Sequence, residues 1–141
     1  MKKNIYTTSI IVTLLLVLTS CKFNQNEVID AAHNSRNSLD WAGTYIGILP
    51  CADCEGIKNQ VTLNTDETYE LSYLFIGKSD TPFVTSGTFK WNDAGSQITL
   101  QDEGFPIRYK VGEGKLFQLD IDGNPITGEL ANMYILTKIA P

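Results

Sequence analysis

One histidine, three cysteines and two methionines in 141 residues leave little for nitrogen or sulfur chemistry. His33 stands alone, so no Ser–His–Asp set can be assembled around a second imidazole, and the chain is expected not to be an enzyme. A closed zinc site needs four ligands, and one histidine with one close cysteine pair does not supply them. Basic residues are also scarce, 11 against 16 acids, which argues against nucleic acid as a partner because phosphate binding needs basic patches. No apolar run reaches the roughly 20 residues a membrane-spanning helix needs. No amphipathic crossover helix is legible either, which disfavours a parallel sheet.

The first residues, MKKNIYTTSIIVTLLLVLTSCKF, carry a short basic start at Lys2 and Lys3 and an apolar stretch from Ile5 to Leu18. This is the layout of a secretory signal. Leu18-Thr19-Ser20-Cys21 resembles the bacterial lipobox, which implies cleavage before Cys21 and lipidation of its thiol by the lipoprotein-processing and sorting machinery. Residues 1–20 are then a signal peptide. A single acyl chain anchors only marginally, at about 0.8 kcal/mol per buried methylene, so stable attachment takes more than one. Without Lys2 and Lys3 the chain keeps 9 basic residues against 16 acids, a net charge of −7, which argues against electrostatic adhesion to anionic lipid. Residues 21–40 are polar and rich in Asn and Ser, and read as a flexible tether with a short helix near Glu27 to His33.

From Trp41 to Pro141 the pattern is that of a single all-β domain. Eight strand candidates follow one another: WAGTYIGIL, IKNQVTLNT, TYELSYLFIG, TSGTFKWN, QITLQD, FPIRYKV, KLFQLDI and ELANMYILTKI. Alternation places Gly43, Tyr45 and Gly47 on one face of the first, with Trp41. It places Ile57, Asn59, Val61 and Leu63 together in the second, and Tyr69, Leu71, Tyr73 and Phe75 in the third. Pro106 fits only the start of a strand or an edge. Short turns, including Asp122-Gly123, join neighbours as an antiparallel meander. Such a sheet hides its unpaired edges by closing, and eight strands suit a small lipocalin-like barrel whose interior is filled or holds one ligand. An open β-sandwich is the second architecture this pattern allows.

The remaining chemistry sits in LPCADCEG, residues 49–56. With Cys21 taken by lipid, Cys51 and Cys54 are an even pair in an oxidising compartment, where a disulfide is expected. So short a ring contributes at the small end of about 2–4 kcal/mol. A thiol–disulfide oxidoreductase would place the first cysteine at a helix start, but a strand follows here, and Asp53 and Glu55 work against thiolate formation. In the reduced state Cys51 and Cys54 are soft donors that select copper(I), with Met133 a more remote thioether that reads as core. Structural disulfide, redox pair and copper(I) site thus remain open. Asp102, Glu103, Asp120 and Asp122 read as solvated turn residues rather than paired catalytic carboxylates.

The stretch GTYIGILPCADCEGIKNQVTLNTDETYEL resembles the opening of the NlpE N-terminal domain family of bacterial copper-resistance lipoproteins. Gly47, Leu49, Pro50, Cys51, Ala52, Asp53, Cys54, Gly56 and Ile57 occupy the family's fixed positions. Weaker similarity continues through TSGTFKWNDAGSQITL, KLFQLDIDGNPITG and YILTK. The resemblance implies a lipocalin-related barrel over residues 41–141, lipid-anchored at the outer membrane and facing the periplasm. It implies no required cofactor, copper tolerance, and signalling of envelope stress or surface contact to a two-component sensor kinase, with Cys51 and Cys54 as the redox or metal pair. Family members that carry a second, OB-like domain set this chain apart, since it ends just after the barrel pattern. The different class that remains is a lipocalin-like carrier of a small apolar ligand, lined by the aromatic faces of the first and third strands.

Overall fold

The computed structural model describes residues 33–101, 104 and 106–140. Cys21, most of the expected helix near Glu27 to His33, and Asp102 and Glu103 lie outside the described residues. A one-turn helix α1 (Ser35–Ser38) precedes eight strands: β1 (Gly43–Leu49), β2 (Gly56–Leu63), β3 (Thr68–Ile76), β4 (Phe83–Trp91), β5 (Gln97–Gln101), β6 (Ile107–Gly112), β7 (Lys115–Gln118) and β8 (Ile135–Lys138). Each strand pairs antiparallel with the next, and β8 returns to β1, so the sheet is a closed barrel rather than an open sandwich. Among the described residues no helix is long and apolar enough to cross a membrane.

Alternation selects the interior. Tyr45, Val61, Leu63, Tyr69, Leu71, Phe89, Tyr109 and Leu136 all point inward and are buried. Cross-strand pairs keep one phase around the sheet: Tyr45 faces Val61, Val61 faces Leu71, and Phe89 faces Leu100. A one-residue slip would send each of these to water. The third strand departs from its simple pattern at its end, where Phe75 is exposed as it nears the barrel mouth.

The seam between β1 and β8 is narrow, with Tyr45 opposite Lys138 and Ile46 opposite Thr137. Gly47 makes the closure sterically feasible. A Cβ there would stand 2.9 Å from the Ile135 carbonyl oxygen and 3.2 Å from Leu136 Cγ. The sequence marks Gly47 as a site of close backbone approach, and the seam is what approaches.

Two strands are shorter than their apolar patterns. β7 stops at Gln118 because the Asp120 carboxylate accepts hydrogen bonds from the Asp122 and Asn124 amides at 2.9 and 2.8 Å, folding the chain into a turn. The eighth strand begins at Ile135, not Glu129. Ala131–Tyr134 form a 3-10 turn instead, entered through Gly128 at φ +99°. Glu, Ala and Asn are weak strand formers, and local hydrogen bonds win there. Met133 therefore sits exposed in this turn rather than in the core.

The barrel's two ends differ. One carries the turns at 64–67, 92–96 and 113–114; the other carries the longer connections at 50–55, 77–82 and 119–134. Residues from Asn34 onward, expected to belong to the tether, pack across the first end. Ser35 Oγ donates to the Val111 carbonyl at 2.8 Å, and the Arg36 amide donates to the Gly95 carbonyl at 3.0 Å. Trp41 stacks edge-on to Phe89 and Trp91, its Nε1 donating to the Arg36 carbonyl. Tyr45 Oη donates to the Trp41 carbonyl at 2.7 Å, which ties this cap to β1. Apolar contacts by Leu39 and Trp41 hold the cap on the barrel despite its polar composition.

Burial, with Asp40 and Glu113 nearby, pushes the Tyr45 hydroxyl up from 10.0 to about 12, and burial raises Tyr109 as well. An unfolded tyrosine loses its proton at about pH 10, so stability contributed by these protons is full below that value and lost as pH rises through the folded one. Chemical denaturation should show stability falling between about pH 10 and 12, and Tyr45→Phe should make that fall shallower. Gly47→Ala should lower the unfolding free energy, measured by urea denaturation, by about 1–3 kcal/mol through overpacking of the seam. Gly104→Ala, where a Cβ meets nothing within 4 Å, should stay near wild type in the same measurement.

Candidate functional site

The loop after β1 is built by the hairpin it joins. Leu49 pairs with Ile57, so the intervening residues must reverse direction at the barrel's open end. Gly56 permits this: a Cβ there would lie 2.7 Å from Ile48 Cγ2. The Glu55 amide donates to the Ile76 carbonyl at 3.3 Å, which binds the loop to β3. Lys78, from the connection between β3 and β4, forms an ion pair with Asp53.

Cys51 and Cys54 form a disulfide, with their Cα atoms 5.3 Å apart. Cys51 Sγ is 3.6 Å from Asp53 Oδ1, and Cys54 Sγ is 3.3 Å from the Gly56 carbonyl oxygen. Neither sulfur carries a proton in the disulfide, so these are contacts; after reduction each thiol would have an acceptor in place. Such acceptors hold the proton on sulfur and disfavour the nucleophilic thiolate. The Lys78 ammonium, through its hydrogen bond and charge, lowers the Asp53 carboxyl below its usual range. Asp53 is therefore ionised beside the sulfurs at neutral pH.

Cys51, Asp53 and Cys54 present donor atoms within 4.8 Å of one another. In the disulfide the two sulfurs are bonded to each other and do not offer the thiolate pair that copper(I) favours. Reduction frees them on a loop already shaped around the set. Beside it lies an open cleft of about 430 Å³ bounded by Ala52, Glu55, Ile76, Gly77 and Lys78. His33 is at the opposite end of the barrel, with the cap, and is not brought to the cysteines. Sequence reasoning did not single out Lys78. Its only signal is that a two-strand connection follows β3, whose neighbour β2 begins at the cysteine loop.

Tyr45 on β1 and Tyr69 on β3 fill the interior rather than line a cavity. Tyr45 is 0% exposed and Tyr69 2%, and Tyr109 closes the centre with Asn59 Nδ2 at 3.4 Å from its hydroxyl. Three clefts formed by described residues, of about 560, 320 and 430 Å³, lie outside the central cluster around Tyr45, Tyr69 and Tyr109; of the buried apolar residues only Leu119 reaches the wall of one of them. Asp120 and Asp122 belong to the turn after β7, where backbone amides stabilise the Asp120 carboxylate and lower it.

Comparison with known proteins places this geometry. The family model of the NlpE N-terminal domain matches residues 45–129. Lipoprotein NlpE of Escherichia coli K12 is 31% identical over 133 residues, 92% of this chain and 55% of that protein. The chain thus spans about half the length of that relative. A crystal structure described as a lipoprotein from Shewanella oneidensis superposes with a TM-score of 0.69 at 48% identity, covering 74% of this chain and 94% of the other. The crystal structure of E. coli NlpE, described as the Cpx pathway activator, gives a TM-score of 0.54 at 31% identity over 62% of this chain and 46% of that one. With the matched segment running from the first inward tyrosine of β1 past the turn after β7, and enclosing the disulfide loop, this chain belongs to the NlpE N-terminal domain family.

Proposed function

We propose that this protein is a non-enzymatic lipoprotein of the cell envelope, anchored through Cys21 at the outer membrane and facing the periplasm, whose disulfide loop reports copper or redox stress. The observation that carries the proposal is the Cys51–Cys54 disulfide displayed at the barrel's open end, with the ionised Asp53 beside it. A buried disulfide would only stiffen a core. Here Cys51 and Cys54 are at most half-buried, on a loop held to its neighbours by one ion pair and one backbone hydrogen bond.

The chemistry is a two-electron exchange. A dithiol reductant gives two electrons and two protons to the pair, becoming a disulfide itself and leaving two thiols on the loop. Copper(I) then binds both sulfurs and displaces the two protons. A soft pair of this kind suits a low-coordinate cuprous ion. Signalling to the sensor kinase of an envelope-stress two-component system would use the same loop, which loses one of its restraints when the ring opens. The E. coli relative described as a Cpx pathway activator supports this direction. A carrier of apolar ligands is not adopted, because side chains occupy the barrel centre.

Protein taken from an oxidised envelope should resist thiol reagents until it is reduced; labelling without reduction would remove the disulfide from the mechanism. After reduction it should bind copper(I) with a sulfur-to-copper charge-transfer band, and the double variant Cys51→Ser, Cys54→Ser should lose both band and binding. Unchanged binding in that variant would sink the copper reading. Metabolic labelling with a fatty acid should mark the wild-type chain and not Cys21→Ser, which should also keep its signal peptide on a gel.

A further inference from the structure

The net negative charge conceals a sharp asymmetry on the outer wall. Outward positions of β4 to β8 hold Lys90, Arg108, Lys110 and Lys115 and no acid at all. The register makes them one patch. Lys90 and Arg108 both pair with Thr99, so they stand two strands apart, about 9–10 Å. Lys110 follows Arg108 two residues along the same face, about 7 Å away. Gly112, the next outward residue, pairs with Lys115. Lys90, Lys110 and Lys115 are exposed, and none of the four forms an ion pair with a described residue. Arg108 donates to the Ile121 carbonyl. Among the described acids of the strand connections, Asp93 and Glu113 lie in turns at the patch's lower margin, and Asp120 and Asp122 flank Ile121 beside Arg108 at its upper margin.

We infer that this wall of the barrel is a docking surface for an anionic phospholipid membrane. Charge complementarity is the first argument: each basic residue close to such a surface strengthens binding by about five-fold. The path of the chain is the second. Asn34 lies against Gly95, in the β4–β5 turn, and Ser35 bonds to Val111 of β6, so the N-terminal segment arrives at the foot of this same wall. Eleven residues separate Cys21 from His33, a span of at most about 40 Å. Phe117 and Ile135 add apolar surface beside Lys110, at a cleft of about 320 Å³. Lipid at Cys21 would then be one attachment and the basic wall a second, of the paired kind that stable peripheral anchoring uses. The docking rests on the envelope reading only for where the membrane comes from.

The test uses residues 21–141 carrying Cys21→Ser, since all eight strands and the cap lie within that span and no acyl chain confounds the result. Cosedimentation is measured with vesicles of phosphatidylcholine alone and of phosphatidylcholine with phosphatidylglycerol. Binding is expected to the anionic vesicles only, and to vanish near 1 M salt, where the Debye length is about 3 Å. Lys90→Glu with Lys110→Glu should weaken it more than ten-fold, whereas Lys58→Glu, on β2 across the barrel, should not change it. Equal binding to both vesicles, or indifference to the double reversal, would overturn the inference. Tighter binding to soluble polyglutamate than to the anionic vesicles would also overturn it, in favour of an acidic protein partner. Failure of lipidation at Cys21 would leave all these outcomes unchanged, so the two ideas fall separately.

Discussion

Closure of the sheet between β1 and β8 is the constraint on which the rest depends. Until those strands meet, the meander has two open edges and no enclosed interior. The seam is short, only Tyr45–Lys138 and Ile46–Thr137, and it works because Gly47 lets the Ile135 backbone come close. Tyr45 links the seam to both neighbouring parts of the structure. Its ring is in the core, and its hydroxyl holds the Trp41 carbonyl of the cap. Closure therefore fixes the interior, orders the cap and projects the β1–β2 connection from the opposite end.

That last effect gives the cysteine loop its character. Its shape is not set by the disulfide alone, since Gly56, the Glu55–Ile76 hydrogen bond and the Asp53–Lys78 ion pair also act on it. Reduction removes one restraint of several. The thiols would emerge near an ionised carboxylate and a carbonyl, poor surroundings for a nucleophile but acceptable ones for a soft metal that brings its own positive charge. On the function proposed above, the same electrostatics would work against disulfide exchange and accommodate a cuprous ion.

Much of the fold was legible because period-two patterning and barrel closure are enforced by the same burial. Tyr45, Val61, Leu63, Tyr69 and Leu71 alternate in sequence and lie inside. What escaped depended on competition at short range. Leu130 and Met133 look like strand residues, but the local hydrogen bonds of the 3-10 turn hold that segment. Asn34 to Ser38 look like linker, yet Leu39 and Trp41 just downstream supply apolar contact that draws them onto the barrel. At the site, the cysteine pair and Asp53 could be read directly from LPCADCEG. Lys78 could not, because its meeting with Asp53 is a product of register across β2 and β3. The basic wall was hidden for a related reason: net charge sums over the surface, whereas strand pairing decides which charges become neighbours.

The cap also determines how the domain bears load. A pull along residues 21–32 would enter through Asn34 to Trp41, where Arg36 grips Glu67 and Trp41 wedges against Phe89 and Trp91. Tension would peel that plug before reaching Cys51 and Cys54, a barrel's height away. The floor of the barrel would thus act as a mechanical fuse, sparing the loop from any force that arrives from the N-terminal side.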